Sequence, residues 1–108
     1  MTTLSQQHCA PGAQAAALTD TDIQKYLASL NGWAQVGKEI RKSFSFKNYH
    51  ETMAFVNASA WVSHREDHHP DMSVHYNKCV VAYSTHDAGG ITLNDLICAA
   101  KLDALLSL

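Results

Sequence analysis

Five of the seven histidines, His64, His68, His69, His75 and His86, fall between the end of one helical segment and the start of the last. Imidazole exchanges protons near neutral pH, its unperturbed pKa being about 6.5. The grouping therefore reads either as a polar loop of solvated or structurally bonded histidines, or as an acid/base site. Placement favours the site. His68 falls at or just beyond a helix end, where carbonyl dipoles favour an imidazolium and hence a proton donor. Pro70 holds His69 extended, so its side chain leaves the backbone in a different direction from that of His68. Two adjacent imidazoles can then address two atoms of one flat substrate. His86 closes a strand ahead of Gly89 and Gly90, at a rim where loops build pockets.

Asp95, nine residues after His86, carries two readings at once. As an acid at the third helical position it serves the cap and the helix dipole, worth about 0.5 to 1 kcal/mol. An ionised carboxylate there could also orient His86 or accept a hydrogen bond from a substrate N–H.

Metal and covalent chemistry find less support. His64 and His68 stand four apart, as in the zinc-protease helix, but that motif needs Glu directly after the first histidine, and Arg65 stands there with the acid at Glu66. A non-proteolytic histidine-rich metal site stays open, since histidine is a frequent ligand; the reading taken is metal-free. Neither Ser84 nor Cys79 sits in an elbow or an activating Cys-His context.

Five stretches must position these residues. Thr19 caps a first helix with Asp22 as the capping-box acid and Leu18 stapled against Ile23; Ile23, Tyr26, Leu27 and Leu30 mark its apolar face, and Asn31-Gly32 stops it. Trp33 to Val36 and Glu39 to Phe46 form a hairpin turning at Gly37-Lys38, with Ile40, Phe44 and Phe46 on one parity. Asn48 and Glu51 open a second helix running to about Glu66, with Met53, Phe55, Val56, Ala60 and Val62 on its apolar arc and His64 at the edge. Ser73 to Tyr76 and Cys79 to Thr85 form a second hairpin around Asn77-Lys78. Thr92 caps the last helix, with Asp95 at its third position and Ile91 stapled against Leu96. The order implies an α+β fold, an antiparallel sheet covered by helices on one face. The last helix is apolar on two sides, through Leu93, Leu96, Ile97 and Ala100 and through Cys98, Leu102 and Leu105. One side is expected to meet another subunit.

The 108 residues hold a single domain, from Leu18 to the C-terminus, preceded by a flexible tail over 1–17 that lacks an apolar period. A net charge of -2 gives no argument for nucleic acid, and the basic run Lys38, Arg41, Lys42 and Lys47 reads as a solvated strand face. Three cysteines, Cys9, Cys79 and Cys98, without a Cys-x-x-Cys pair, imply neither a disulfide framework nor a thiolate metal site, and suggest a reducing compartment. No basic flank leads into an apolar run, and no stretch approaches the roughly 20 apolar residues of a membrane span. A cytoplasmic protein is the expectation.

The run His64-Arg65-Glu66-Asp67-His68-His69-Pro70, then Tyr76-Asn77-Lys78, Ser84-Thr85-His86 and Asp95, resembles the signature of the pterin-4a-carbinolamine dehydratases, from about Leu18 to the C-terminus. The resemblance implies a hydro-lyase, 4a-hydroxytetrahydrobiopterin dehydratase. Water leaves a 4a-hydroxytetrahydropterin to give the quinonoid dihydropterin, recycling the pterin cofactor of aromatic amino acid hydroxylases. It implies His68 and His69 as general acid and base, His86 as a catalytic or pterin-orienting histidine and Asp95 as a supporting acid. His64 and Pro70 join them as supporting positions. No cofactor or metal is implied, the pterin being the substrate. The implied fold is a four-stranded antiparallel sheet with three helices, assembled into homodimers and often homotetramers. His64 stands where relatives frequently carry Glu, and Met72 where an aromatic residue is common. In animals, members of this family also serve as dimerisation cofactors of a transcription factor. A regulatory partner with a vestigial site is therefore the alternative from another functional class.

The chemistry suits unaided side chains. A carbinolamine carries nitrogen beside the carbon bearing hydroxyl, so protonating the hydroxyl while a base takes the N–H proton expels water without redox change. Each such proton transfer contributes typically about 10² to 10⁴ in rate.

Overall fold

The computed structural model describes residues 3–11 and 15–106; residues 1–2 and 12–14 of the expected tail and 107–108 of the expected domain lie outside the described residues. Thr19 Oγ1 accepts from the Asp22 N–H at 3.2 Å and starts α1 (Asp20–Leu27), which buries Ile23 and Leu27. The helix ends earlier than Leu30, where turn bonds Ser29 N–H to Tyr26 O and Leu30 N–H to Leu27 O replace helical ones. β1 (Ala34–Val36) turns through Gly37, at φ +61° in the left-handed region that glycine adopts without a Cβ penalty, into β2 (Glu39–Ser45).

Asn48 Oδ1 accepts from the Glu51 N–H at 3.0 Å and opens α2 (Tyr49–Glu66). Its buried line is Thr52, Phe55 and Ser59, with Val56 and Val62 packed beside it, while Ala60 faces solvent. The apolar arc expected from the sequence is thus rotated, because two hydroxyls lie inward. The single Thr52 hydroxyl proton is shared between Asn48 O at 3.0 Å and Tyr76 O at 3.1 Å, and Ser59 donates to Val56 O, so neither is left unpaired in the core.

β3 (Asp71–Val74) begins directly after Pro70, and β4 (Lys78–Tyr83) follows a turn through His75, Tyr76 and Asn77 closed by His75 N–H to Lys78 O. The expected second hairpin exists, with its first strand set earlier and its turn one residue longer. Lysine makes a poor second turn residue, and here Lys78 pairs with Ser45 inside the ladder.

The four strands form one antiparallel sheet in the order β1-β2-β4-β3. Ile40 and Phe44 of β2 share an inner face with Cys79, Val81 and Tyr83 of β4, all buried, while Arg41, Ser43, Ser45 and Ser73 on the other face are exposed. Helices α1, α2 and α3 (Leu93–Leu105) all pack on the inner face, as the α+β reading expects. Lys42, read as part of a solvated basic run, points inward instead and meets Asp103 Oδ1 at 2.8 Å, beside the Trp33 indole N–H that donates to the same carboxylate.

The two apolar sides of α3 have an explanation inside this chain. Leu96, Ile97, Cys98, Ala99, Ala100 and Leu102 are all buried. The N-terminal segment, read from sequence as a flexible tail, lies against this helix. Thr3–Pro11 carries a 3-10 turn at Leu4–Gln6 and lies along α3, where Lys101 Nζ donates to Ser5 O and the Asn94 amide makes a two-way pair with the Ala10 backbone. The segment has little apolar period because only Leu4 and Cys9 pack against the core, while its backbone bonds to the side chains of Asn94 and Lys101.

Glu66, at the end of α2, is the other anchor. Its side chain is 5% exposed and accepts from the Cys9 N–H at 2.8 Å and from His8 Nδ1 at 3.0 Å, with Lys101 Nζ at 3.7 Å. Burial alone would raise this carboxyl, but the Cys9 and His8 hydrogen bonds and the charge of Lys101 outweigh it and hold the group below its ordinary 4.5. The unfolded chain therefore takes up the proton first as the pH falls. The stabilisation is complete above about pH 4.5 and drains away as the pH drops through the lower folded value. Urea midpoints measured against pH should fall less steeply below pH 4.5 in Glu66→Gln than in the parent chain.

Candidate active site

The end of α2 delivers His68 by a defined device. Asp67 adopts φ +51°, and the His68 N–H donates to Ser63 O at 3.2 Å, the six-residue closure of a Schellman motif. The chain therefore leaves the helix in one direction, and Pro70 carries it on into β3. On the facing wall β4 ends at Tyr83, and Thr85 bridges Gly90 around a 3-10 turn at His86–Ala88 that closes on Gly89 at φ +71°.

Between these walls lies a cleft of about 280 Å³ lined by Asp67, His68, His69, Ser84, Thr85, His86 and Asp87. His68, His69 and His86 thus share one cleft. His64 and Pro70 are not among its lining residues. His64 is exposed and lies against the Trp61 ring at 5.5 Å. Although His64 and His68 are spaced four apart, one ring meets Trp61 and the other Asp95.

Asp95 sits beneath His68, fully buried. Its Oδ1 is 2.6 Å from His68 Nε2, and its Oδ2 accepts from the Thr85 hydroxyl and the Thr92 N–H, each at 2.9 Å. The proton assignments follow from one hydrogen per hydroxyl. Thr85 Oγ1 donates to Asp95, so the Thr92 hydroxyl 2.8 Å away donates to Thr85 while accepting the Asn94 N–H. An ionised carboxylate only accepts, so with Asp95 ionised His68 Nε2 is the donor and Nδ1 is the ring nitrogen open to exchange. The His68 ring also stacks on Tyr83 at 5.8 Å with the planes 9° apart.

Both roles read into Asp95 from its position concern the same carboxyl. It caps α3 as expected, but it orients His68 rather than His86, and its burial keeps it from a substrate. The residues that sequence reasoning passed over are Thr85 and Tyr83. Tyr83 was legible in principle, since it shares the inward parity of Cys79 and Val81. Thr85 was not, because its partners Thr92 and Asp95 lie across a loop whose path no local period reveals.

The Tyr83 hydroxyl is buried without a hydrogen-bond partner among the described residues. Burial, then the neighbouring Cys98 and Cys9 thiols and Asp95, push the phenol far above its ordinary range, so it stays neutral.

Fold and site together define a class: a small α+β protein in which a buried carboxylate holds one imidazole in the wall of an open, histidine-lined cleft, an arrangement for proton transfer. The family described as pterin 4 alpha carbinolamine dehydratase matches residues 16–105, and the chain belongs to that family. It is 58% identical over 102 residues to a provisionally named pterin-4-alpha-carbinolamine dehydratase of Chromobacterium violaceum, covering 94% of each chain. It is 59% identical over 91 residues to one of the same provisional name from Nitrosospira multiformis, covering 84% of this chain and 80% of that one. Among solved structures it resembles a transcriptional coactivator/pterin dehydratase from Brucella melitensis, with a TM-score of 0.80 at 32% identity over 82% of this chain and 97% of that one. It also resembles a pterin dehydratase-like RuBisCO assembly factor of the alpha-carboxysome, with a TM-score of 0.61 at 26% identity over 70% of this chain and 90% of that one.

Two substitutions test the packing around His68. Asp95→Asn replaces an acceptor by an amide that cannot receive both the His68 and the Thr85/Thr92 hydrogens, and urea unfolding should show a loss of about 2 kcal/mol or more. Tyr83→Phe removes a buried hydroxyl that has nothing to lose, so the same measurement should show no loss, or a gain of up to about 1 kcal/mol.

Proposed function

We propose that this chain removes water from a 4a-hydroxytetrahydropterin to give the quinonoid dihydropterin by histidine general acid/base catalysis. The pterin is the substrate, and the reaction calls on neither metal nor cofactor. The observation that carries the reading is the His68 imidazole, held through Nε2 by a buried carboxylate in the wall of the cleft that His69 and His86 also line. Dehydration of a carbinolamine needs a proton delivered to the departing hydroxyl and one taken from the adjacent N–H. His68, doubly protonated with its Nε2–H directed at Asp95, delivers the first from Nδ1, and His69 or His86 takes the second. Pro70 supports His69 by keeping it extended, and His64 stands outside the reacting group. Returning the captured proton to His68 completes the cycle with no net change in the protein.

The same reading extends to recycling of the cofactor of aromatic amino acid hydroxylases in the cytoplasm, by a homo-oligomer. It is supported by the family and by the absence, among the described residues, of a helix long and apolar enough to cross a membrane. A second reading is a partner-binding protein with a vestigial site. It is supported by the names of the two structural neighbours and by the exposed aromatic rings on α2, where Trp61 is 63% and Tyr49 50% exposed.

Turnover of a 4a-hydroxytetrahydropterin, followed by the ultraviolet absorbance change on dehydration, separates the two. His68→Ala and His69→Ala should each lower the rate by about 10² to 10⁴ while circular dichroism and thermal midpoints show the fold retained. Unchanged rates in both variants would overturn the mechanism, and an inactive parent chain would favour the partner-binding reading.

A further inference from the structure

Cys9 and Cys98 are far apart in sequence, yet the docked N-terminal segment brings their sulfurs to 3.6 Å. The two thiols differ in surroundings. Cys98 lies inside the core on α3, fully buried, whereas Cys9 is half-buried on the segment and also reaches Asn94 O at 3.6 Å. The contact with Cys9, together with burial, pushes the Cys98 thiol up, so it stays protonated. Cys79, the third cysteine, is buried on β4 and pushed up by that burial.

We propose that Cys9 and Cys98 form a disulfide when the protein meets a hydroperoxide, fastening the N-terminal segment to α3. A disulfide needs the sulfurs at about 2.05 Å, so they must close by roughly 1.5 Å. The movement falls to the Cys9 segment, which is held by a few hydrogen bonds, while Cys98 is fixed in the helix.

The chemistry balances in two steps. Cys9, the more accessible thiol, attacks the peroxide oxygen; the O–O bond breaks, the alcohol or water leaves with the proton, and Cys9 becomes a sulfenic acid. The Cys98 sulfur then displaces the sulfenic hydroxyl, which departs as water with the Cys98 proton. Two electrons pass from the thiol pair to the hydroperoxide, and a thiol reductant reverses the change.

The position gives the bond consequences for the rest of the fold. The Cys9 N–H holds Glu66, two residues before His68, and the next residue, Ala10, pairs with Asn94, the neighbour of Asp95. Locking Cys9 to α3 secures the segment that touches both sides of the His68 and Asp95 pair. In a reducing cytoplasm such a bond would be transient and formed under oxidant stress rather than standing.

The test uses the full reduced chain and stoichiometric hydrogen peroxide, with no assay of dehydration, so it stands apart from the catalytic reading. Intact mass should fall by two hydrogens, free thiols should drop from three to one, and protease digestion should yield a peptide pair joining Cys9 to Cys98. The thermal midpoint should rise by on the order of 10 °C, reversibly with dithiothreitol. Cys9→Ser and Cys98→Ser should each abolish the mass change and the thermal gain, whereas Cys79→Ser should keep both. Oxidation that stops at sulfenic or sulfinic acid on Cys9, a Cys9-to-Cys9 dimer, or a crosslink without thermal gain would each overturn the proposal.

Discussion

The structure depends on one buried carboxylate. Asp95 is inaccessible to water, a placement that costs an ionised carboxylate several kcal/mol unless hydrogen bonds replace the lost hydration. It receives them from the Thr92 backbone, the Thr85 hydroxyl and the His68 ring. Each donor belongs to a different piece of the fold: the start of α3, the loop after β4 and the exit from α2. Satisfying one charge therefore draws three elements to a point, and the imidazole that faces the cleft is one of the groups doing so.

This arrangement resolves the apparent conflict between stability and function at Asp95. Capping a helix and orienting the His68 imidazole use different oxygens of the same group, Oδ2 for Thr92 and Oδ1 for His68. Neither role weakens the other. The Schellman turn at Asp67 and the stacking on Tyr83 further restrict His68, whereas His69 and His86 remain exposed on the cleft walls. The site thus pairs one rigid imidazole with two freer ones. Such a division suits the proposed dehydration, in which one proton arrives along a defined direction and the other leaves towards either of two bases.

The N-terminal segment is the second structural lesson. An α3 apolar on both sides meets, along part of its surface, the N-terminal segment of the same chain. Thr3–Pro11 lies along α3 without an amphipathic period: Leu4 and Cys9 pack against the core, and hydrogen bonds through Cys9 N–H, the Ala10 backbone and Ser5 O hold the rest. Glu66 and Asn94, which receive it, lie next to the residues that hold the site.

Local rules carried much of the fold. The three caps Thr19, Asn48 and Thr92, the parity of Ile40 and Phe44 and the order of the elements were legible because each depends on residues close in sequence. So was the gathering of His68, His69 and His86 near one end of the sheet, since a helix end, a proline and a strand end placed them there. The tertiary structure decided the rest: that Asp95 turns to His68 instead of His86, that Thr85 completes its shell, that Thr52 and Ser59 face inward and rotate α2, and that residues 3–11 lie along α3. Each of those contacts joins positions separated by loops or by most of the chain. Such contacts are chosen by how buried charges and hydroxyls find partners once the layers close, and no local period in a sequence records that choice.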